Sequence, residues 1–239
     1  MRKEKIIQGE YYHVFNRGNN KQCIFKDERD WIRLLFSILY FQSSVNLRNI
    51  SRQVNYFSQN KIFNVPENTI KEIIENRYVE LVAFTLMPNH FHLIVYELNK
   101  GGISNYMKKI LGGYTKYFNA KNEASGHLFQ GPFRVVHIKD DPQILYLSAY
   151  IHRNIREVKN WTGKEHIFSY SSFRDYLGEN RWEELLKTDI IKNQFLSVEK
   201  YKLFVENRLK MYKTRFCTFL NSKKNKIDHY FHYNKNPFW

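Results

Sequence analysis

The residues best suited to do chemistry in this chain lie in LVAFTLMPNHFHLIVY, positions 81–96, where His90 and His92 are one residue apart. Two short apolar runs, Leu81–Met87 and Phe91–Val95, flank Pro88-Asn89. Both are rich in β-branched and aromatic residues, so a pair of antiparallel strands joined by a turn is expected. Side chains alternate across a strand, which puts His90 and His92 on one face and turns Phe91 into the core. Two adjacent imidazoles on a rigid strand form half of a divalent-metal site. The plain alternative is a satisfied sheet edge, and among nine histidines in 239 residues the spacing alone does not decide.

A second cluster of polar groups falls on a helix. Asp141 is expected to cap it and Pro142 to take its first position, where no N–H is needed. The helix should run to about Val158, packing through Ile144, Leu147, Ser148, Ile151 and Ile155. Tyr146, Tyr150, Arg153, Asn154 and Glu157 form an adjoining stripe. Residues four apart on a helix are neighbours, so Tyr150 and Asn154 present a phenol and a carboxamide side by side. A tyrosine at the rim of an amphipathic helix is the ordinary reading of such a position.

The elements that must position these groups follow in order. Tyr11–Arg17 alternates as a first strand, and Asp27 caps a helix through about Phe41 with Ile32, Leu35, Phe36 and Leu39 at helical spacing. Residues 42–76 read as an insertion with some helical content, including a helix over Glu67–Asn76. After the histidine strands, Gly101-Gly102 breaks the chain, and Ile103, Met107, Ile110, Leu111, Tyr114 and Phe118 mark another amphipathic helix. Lys108, Lys109, Lys116 and Lys121 form a row on its outer face that suits a phosphate backbone or simply solvent. Phe133–Ile138 is the fourth strand. Strand, helix, two strands, helix, strand is the α+β, ferredoxin-like pattern, an antiparallel sheet with helices on one face and the other face open for a site.

Thirty-eight Lys and Arg against 23 Asp and Glu give a formal charge of +15, which points to a polyanionic partner such as nucleic acid. No apolar run reaches membrane-spanning length and the N-terminus has no signal-peptide core. Cys23 and Cys217 stand far apart without a partner motif, consistent with a reducing cytoplasm. From Arg181 onward, Trp182, Leu185, Leu186, Ile190 and Ile191 suggest one helix and Tyr201–Met211 another. The basic tail, with aromatic residues interleaved to DHYFHYNKNPFW, fits nucleic-acid binding or a frayed terminus.

MPNHFHLIV, GHLFQGPFR and AYIHRNIRE, in that order and at these separations, resemble the single-tyrosine HUH transposases, in particular the REP-associated tyrosine transposases. YYHVFNRGNNKQCIF and FSYSSFRDYLG match the same group. The resemblance covers about residues 11–178 apart from the insertion, so a transposase domain over 1–178 and a basic, mostly helical extension over 179–239 are expected. It implies that His90, His92 and Asn154 hold a divalent metal, Mg²⁺ or Mn²⁺, and that Tyr150 is the nucleophile. Ile155 departs from the family, which commonly has proline there.

The resemblance further implies cleavage and rejoining of single-stranded or hairpin DNA through a 5′-phosphotyrosine, in the cytoplasm at the nucleoid, with a homodimer whose site is composite if the tyrosine helix serves the partner subunit instead of its own. Arg17, Lys116, Arg134 and Arg153 are the expected phosphate contacts. Two rival readings stay open: a non-catalytic nucleic-acid-binding protein of the same fold, and a metal-dependent hydrolase acting on another phosphate ester. Loss of a covalent DNA adduct in Tyr150→Phe separates the first reading from both.

Overall fold

The computed structural model describes residues 5–45 and 50–207. Four antiparallel strands, β1 (Tyr11–Arg17), β2 (Val79–Met87), β3 (His90–Glu97) and β4 (Arg134–Ile138), form one sheet in the order β2-β3-β1-β4. This is the ferredoxin-like arrangement that the order of elements predicts. Helices α1 (Glu28–Tyr40) and α4 (Gly102–Asn122) make the two crossovers. Both lie against the face carrying Tyr12, Val14, Phe84, Leu86, Phe91, Leu93 and Val95, and the main core forms there.

The start of α1 follows the sequence: the Asp27 side chain accepts from the Asp30 N–H. The start of α4 does not, because no residue beside it caps the helix. Glu97, at the end of β3 and fully buried, accepts instead from the N–H groups of Gly101 at 2.7 Å and Ile103 at 2.6 Å. A carboxylate at a helix N-terminus satisfies two orphan donors and meets the positive end of the dipole, so α4 is fixed to the histidine strand.

The insertion holds two helices, α2 (Ile50–Asn60) and α3 (Glu67–Glu75). Their apolar faces pack near α1, and Trp182 closes the layer with its ring 5.8 Å from Phe57 and 5.2 Å from Phe63. The region around Trp182 is not the single helix expected. It is a 3-10 turn over Glu183–Leu185 followed by the short α7 (Asp189–Lys192), after α6 (Phe173–Leu177). The buried Asp175 carboxylate pairs with Arg181 and accepts from Trp182 Nε1, which folds the chain back where a helix would have carried it onward. Helix α8 spans Val198–Asn207, and the aromatic tail beyond it lies outside the described residues.

The second sheet face is roofed along part of its area by α5 (Asp141–Arg153), backed by α6 and α8. Asp140, not Asp141, caps α5, accepting from the Gln143 N–H at 2.8 Å. Asp141 takes the first turn, where its charge suits the dipole, and Pro142 still falls where no N–H is required. The fully buried His152 fastens α5: Nε2 lies 2.8 Å from Ser172 Oγ and Nδ1 2.7 Å from Tyr201 Oη. His152→Leu takes a partner from each of two buried hydroxyls, so it should cost about 1–3 kcal/mol in urea unfolding.

Candidate active site

The open half of the second sheet face is set by the strand register. Arg17 pairs with His90, Phe15 with His92 and His13 with Ile94. Alternation along each strand then projects Arg17, Phe15, His13, His90 and His92 from the same side. Arg134 pairs with Phe15 on the other flank of β1. The turn carrying the histidines is clamped from below by the segment after β1. The Gly18 N–H donates to the Asn89 carbonyl at 2.7 Å and the Ile24 N–H to the Pro88 carbonyl at 2.9 Å. A Cβ on Gly18 would meet the Gln22 carbonyl at 2.3 Å, so only glycine allows this close approach. The GHLFQGP loop docks on the same strand end, with the Gln130 N–H donating to the Arg17 carbonyl. Three separate sequence blocks are thus the walls of one turn.

The rings converge on this face. His90 and His92 lie 5.0 Å apart between centroids, and the Tyr150 ring from α5 stands edge-on to His92 at 5.6 Å. Tyr150 is half-buried, and it meets the histidines of its own chain. Asn154, one turn later, is 4% exposed and its Nδ2 has no hydrogen-bond partner among the described residues. Buried polar atoms without a partner are rare in folded proteins; an amide N–H donor left this way suits an outside acceptor such as a phosphate oxygen, whereas a cation would take the Oδ1 of the same group. Ile155, where the resemblance leads one to expect proline, is buried against Met87 and Phe168, and Asn154 keeps helical backbone angles.

Both histidines are held in the neutral form, in which one ring nitrogen carries a proton and the other a lone pair. Burial pushes His90 down to about 3, helped by the Arg17 charge. Burial also drives His92 well below its ordinary value, with His90, His13 and Arg17 adding to the effect. His13 and His152 are each lowered to about 3 by burial. Asn89 fixes the proton on His90: its Nδ2 donates to the Lys21 carbonyl at 3.1 Å, so its Oδ1 faces His90 Nδ1 at 2.6 Å and must receive a proton from it. His90 Nε2 then keeps a lone pair.

These depressed values make stability depend on pH. Unfolded histidine titrates near 6.5, so between about pH 6.5 and 3 the unfolded chain binds protons that the folded chain refuses. The stability of the metal-free protein is therefore complete above about pH 6.5 and falls as the pH drops towards 3. Near pH 5 the slope of unfolding free energy against pH should correspond to about four protons, one for each of His13, His90, His92 and His152. Urea titrations across that range measure it.

Among the described residues no group of three or more His, Cys, Asp or Glu is placed to hold a metal. The donor set on offer is two neutral imidazoles and the buried Asn154 carboxamide, which would bind through Oδ1, and these residues fit a divalent ion that keeps other positions for outside ligands. Of the expected phosphate contacts, Arg17 and Arg134 share the site face and Arg153 lies in the last turn of the Tyr150 helix. Lys116 is exposed on α4, which packs on the opposite face. In the lysine row, Lys121 is held by Asp27 and Asp30 at 2.6 Å, and Lys109 donates to the Ser43 carbonyl. His13 and Phe15 are the site-face residues that sequence reasoning missed, although both alternate in phase with Arg17.

The family model described as transposase IS200 like matches residues 8–154. A solved REP-associated tyrosine transposase bound to a REP hairpin is similar at 16% identity, covering 80% of this chain and 92% of that one with a TM-score of 0.47. A transposase candidate from Deinococcus radiodurans R1 is 16% identical, covering 62% of this chain and 93% of that one with a TM-score of 0.32. No curated protein matches the chain. Among the described residues no helix is long and apolar enough to cross a membrane.

Proposed function

The chain belongs to the IS200-like transposase family, and from that premise we propose that it cuts and rejoins single-stranded DNA with Tyr150 as nucleophile and His90, His92 and Asn154 as metal ligands. The observation that carries this reading is the Tyr150 ring standing edge-on to His92 at 5.6 Å between centroids, beside a second neutral imidazole, with the buried Asn154 one turn further along the same helix. A divalent ion bound there would polarise the scissile phosphate and help align it for in-line attack. Imidazole donors suit Mn²⁺ better than Mg²⁺.

The chain's own residues do the rest. Arg17, opposite His90, and Arg134, on the neighbouring strand, offer positive charge to the phosphate backbone on either side of β1. The Tyr150 oxygen forms a bond to phosphorus as the bond from phosphorus to the 3′ oxygen breaks. The phenolic proton passes to water, and the departing 3′ oxygen takes the electron pair and a proton. The products are a 5′-phosphotyrosine and a free 3′-hydroxyl. A phenol with a pKa of about 10 leaves far more readily than an alkoxide, so a second 3′-hydroxyl displaces Tyr150 and reseals the strand without ATP. Because phenol and histidines come from one chain, a site complete within a single subunit is favoured. Half-buried Phe15, 5.7 Å from His92, offers a ring for an unpaired base.

The experiment uses single-stranded oligonucleotides from the regions flanking the gene, with and without a hairpin, labelled at either end and incubated with the protein and Mn²⁺. The expected result is a covalent adduct carrying the 3′ label, formed best on the hairpin-bearing strand and absent from duplex. Binding without an adduct, or turnover of small phosphate esters that survives Tyr150→Phe, would contradict it.

A further inference from the structure

His13 takes no part in the chemistry above, yet its ring faces that site. It is 7% exposed on β1 and reaches diagonally across to β3, placing its Nε2 2.9 Å from Nδ1 of His92. Phe15 stacks on its ring at 4.7 Å and 29°, which holds the imidazole in that orientation. A hydrogen bond between two neutral imidazoles needs one nitrogen to donate and the other to accept. The two choices have opposite consequences for His92. If His92 Nδ1 carries the proton, its Nε2 has a lone pair to give. If His13 Nε2 carries it, His92 Nδ1 is used as the acceptor, its single proton must sit on Nε2, and no lone pair is left for a metal.

We propose that His13 is a positioning residue that accepts the Nδ1–H of His92 and so fixes the His92 tautomer with its Nε2 open to the site. His90 is set by a separate device, the Asn89 carboxamide, so each ring of the pair has one nitrogen pinned and the other presented. Outer partners of this kind orient metal-binding histidines and raise their basicity. The inference rests on the metal site proposed above, but the tautomer can be read without any metal.

Two variants test it. His13→Leu removes the acceptor and keeps an apolar filling; His13→Gln offers a carboxamide oxygen at a similar reach. The readouts are the ¹⁵N shifts of the His92 ring in metal-free protein and the affinity for Mn²⁺ measured by electron paramagnetic resonance. The expected results are an Nδ1–H tautomer at His92 in the unaltered protein, a shift towards Nε2–H in His13→Leu with Mn²⁺ binding about 10–100-fold weaker, and recovery of most of both in His13→Gln.

An unchanged tautomer and unchanged Mn²⁺ affinity in His13→Leu would overturn the proposal while leaving the metal site intact. Equal losses in both variants would overturn it as well, since only packing would then matter. A tautomer that shifts as expected in a protein with no affinity for Mn²⁺ would uphold the orienting bond and sink the metal reading. If His13→Leu fails to fold, the unaltered protein still decides, because an Nε2–H tautomer at His92 there overturns the proposal.

Discussion

Tyr150→Phe should abolish the covalent DNA adduct and lower strand cleavage by at least about 10³-fold, as removal of a nucleophile does elsewhere. The change deletes one oxygen from a half-buried ring. The edge-on contact with His92 and the packing against the core between α5 and the sheet involve the ring, which remains. Binding of single-stranded DNA and Mn²⁺ affinity should therefore stay close to those of the unaltered protein, and urea stability should change by no more than the ~1 kcal/mol of one hydrogen bond. A loss of chemistry without loss of fold, metal or substrate places the hydroxyl at the reacting phosphorus. If cleavage persists at a comparable rate, water or another side chain is the nucleophile and the role given to α5 is wrong.

His92→Ala should have the second largest effect, reducing Mn²⁺ affinity by at least about 100-fold and removing cleavage with it. Its neighbours explain the size of the effect: the ring is enclosed by His13, Phe15, His90 and Tyr150, so its loss empties the centre of the cluster. The comparison with Asn154→Ala makes the result specific. His92 sits in a hydrogen-bonded, stacked cluster, so its loss also lowers stability. Asn154 buries an amide nitrogen that finds no partner among the described residues, so truncation relieves an uncompensated desolvation and should cost less than about 1 kcal/mol despite the small cavity. Metal affinity and cleavage should fall in both variants, but stability in only one. Equal destabilisation would make Asn154 an ordinary core residue.

The sheet and its order were legible because period-2 runs, turn residues and helical spacing agree along the chain. The pairing of His90 with His92 on one face followed from alternation alone. Tyr150 needed the family resemblance, because a lone tyrosine on a helix flank has no signature of its own. What escaped are side-chain contacts, some between residues far apart in sequence and some within a few positions. His13 meets His92 across 79 positions, and only the register of β1 on β3 reveals it. Glu97 caps α4 from the preceding strand, where sequence rules look for a cap beside the helix. Asp140 and Asp141 offer the same side chain at adjacent positions, so local pattern cannot choose between them. The lysine row on α4 read as one stripe, for a phosphate backbone or for solvent, yet Lys121 is drawn to Asp30, whose position depends on how α1 packs. The helix expected around Trp182 was lost to a buried ion pair that turns the chain. The His13 and Lys121 contacts are tertiary. The Asp140 cap, the Glu97 cap and the Asp175–Arg181 pair join residues three to seven apart and escaped because helix rules do not weigh such side-chain alternatives.

Phenol, imidazoles and ion must meet at one point for this chemistry to run. A crystal grown with Mn²⁺ and a single-stranded oligonucleotide, with anomalous data at the manganese edge and Tyr150→Phe to stop the reaction, tests that directly. The expected result is one strong peak within coordination distance of His90 Nε2 and His92 Nε2 and of the Asn154 carboxamide, with a backbone phosphate between it and the edge of the substituted ring on α5. A peak elsewhere on the protein, or a DNA strand running along the α4 face with the histidines untouched, would contradict it.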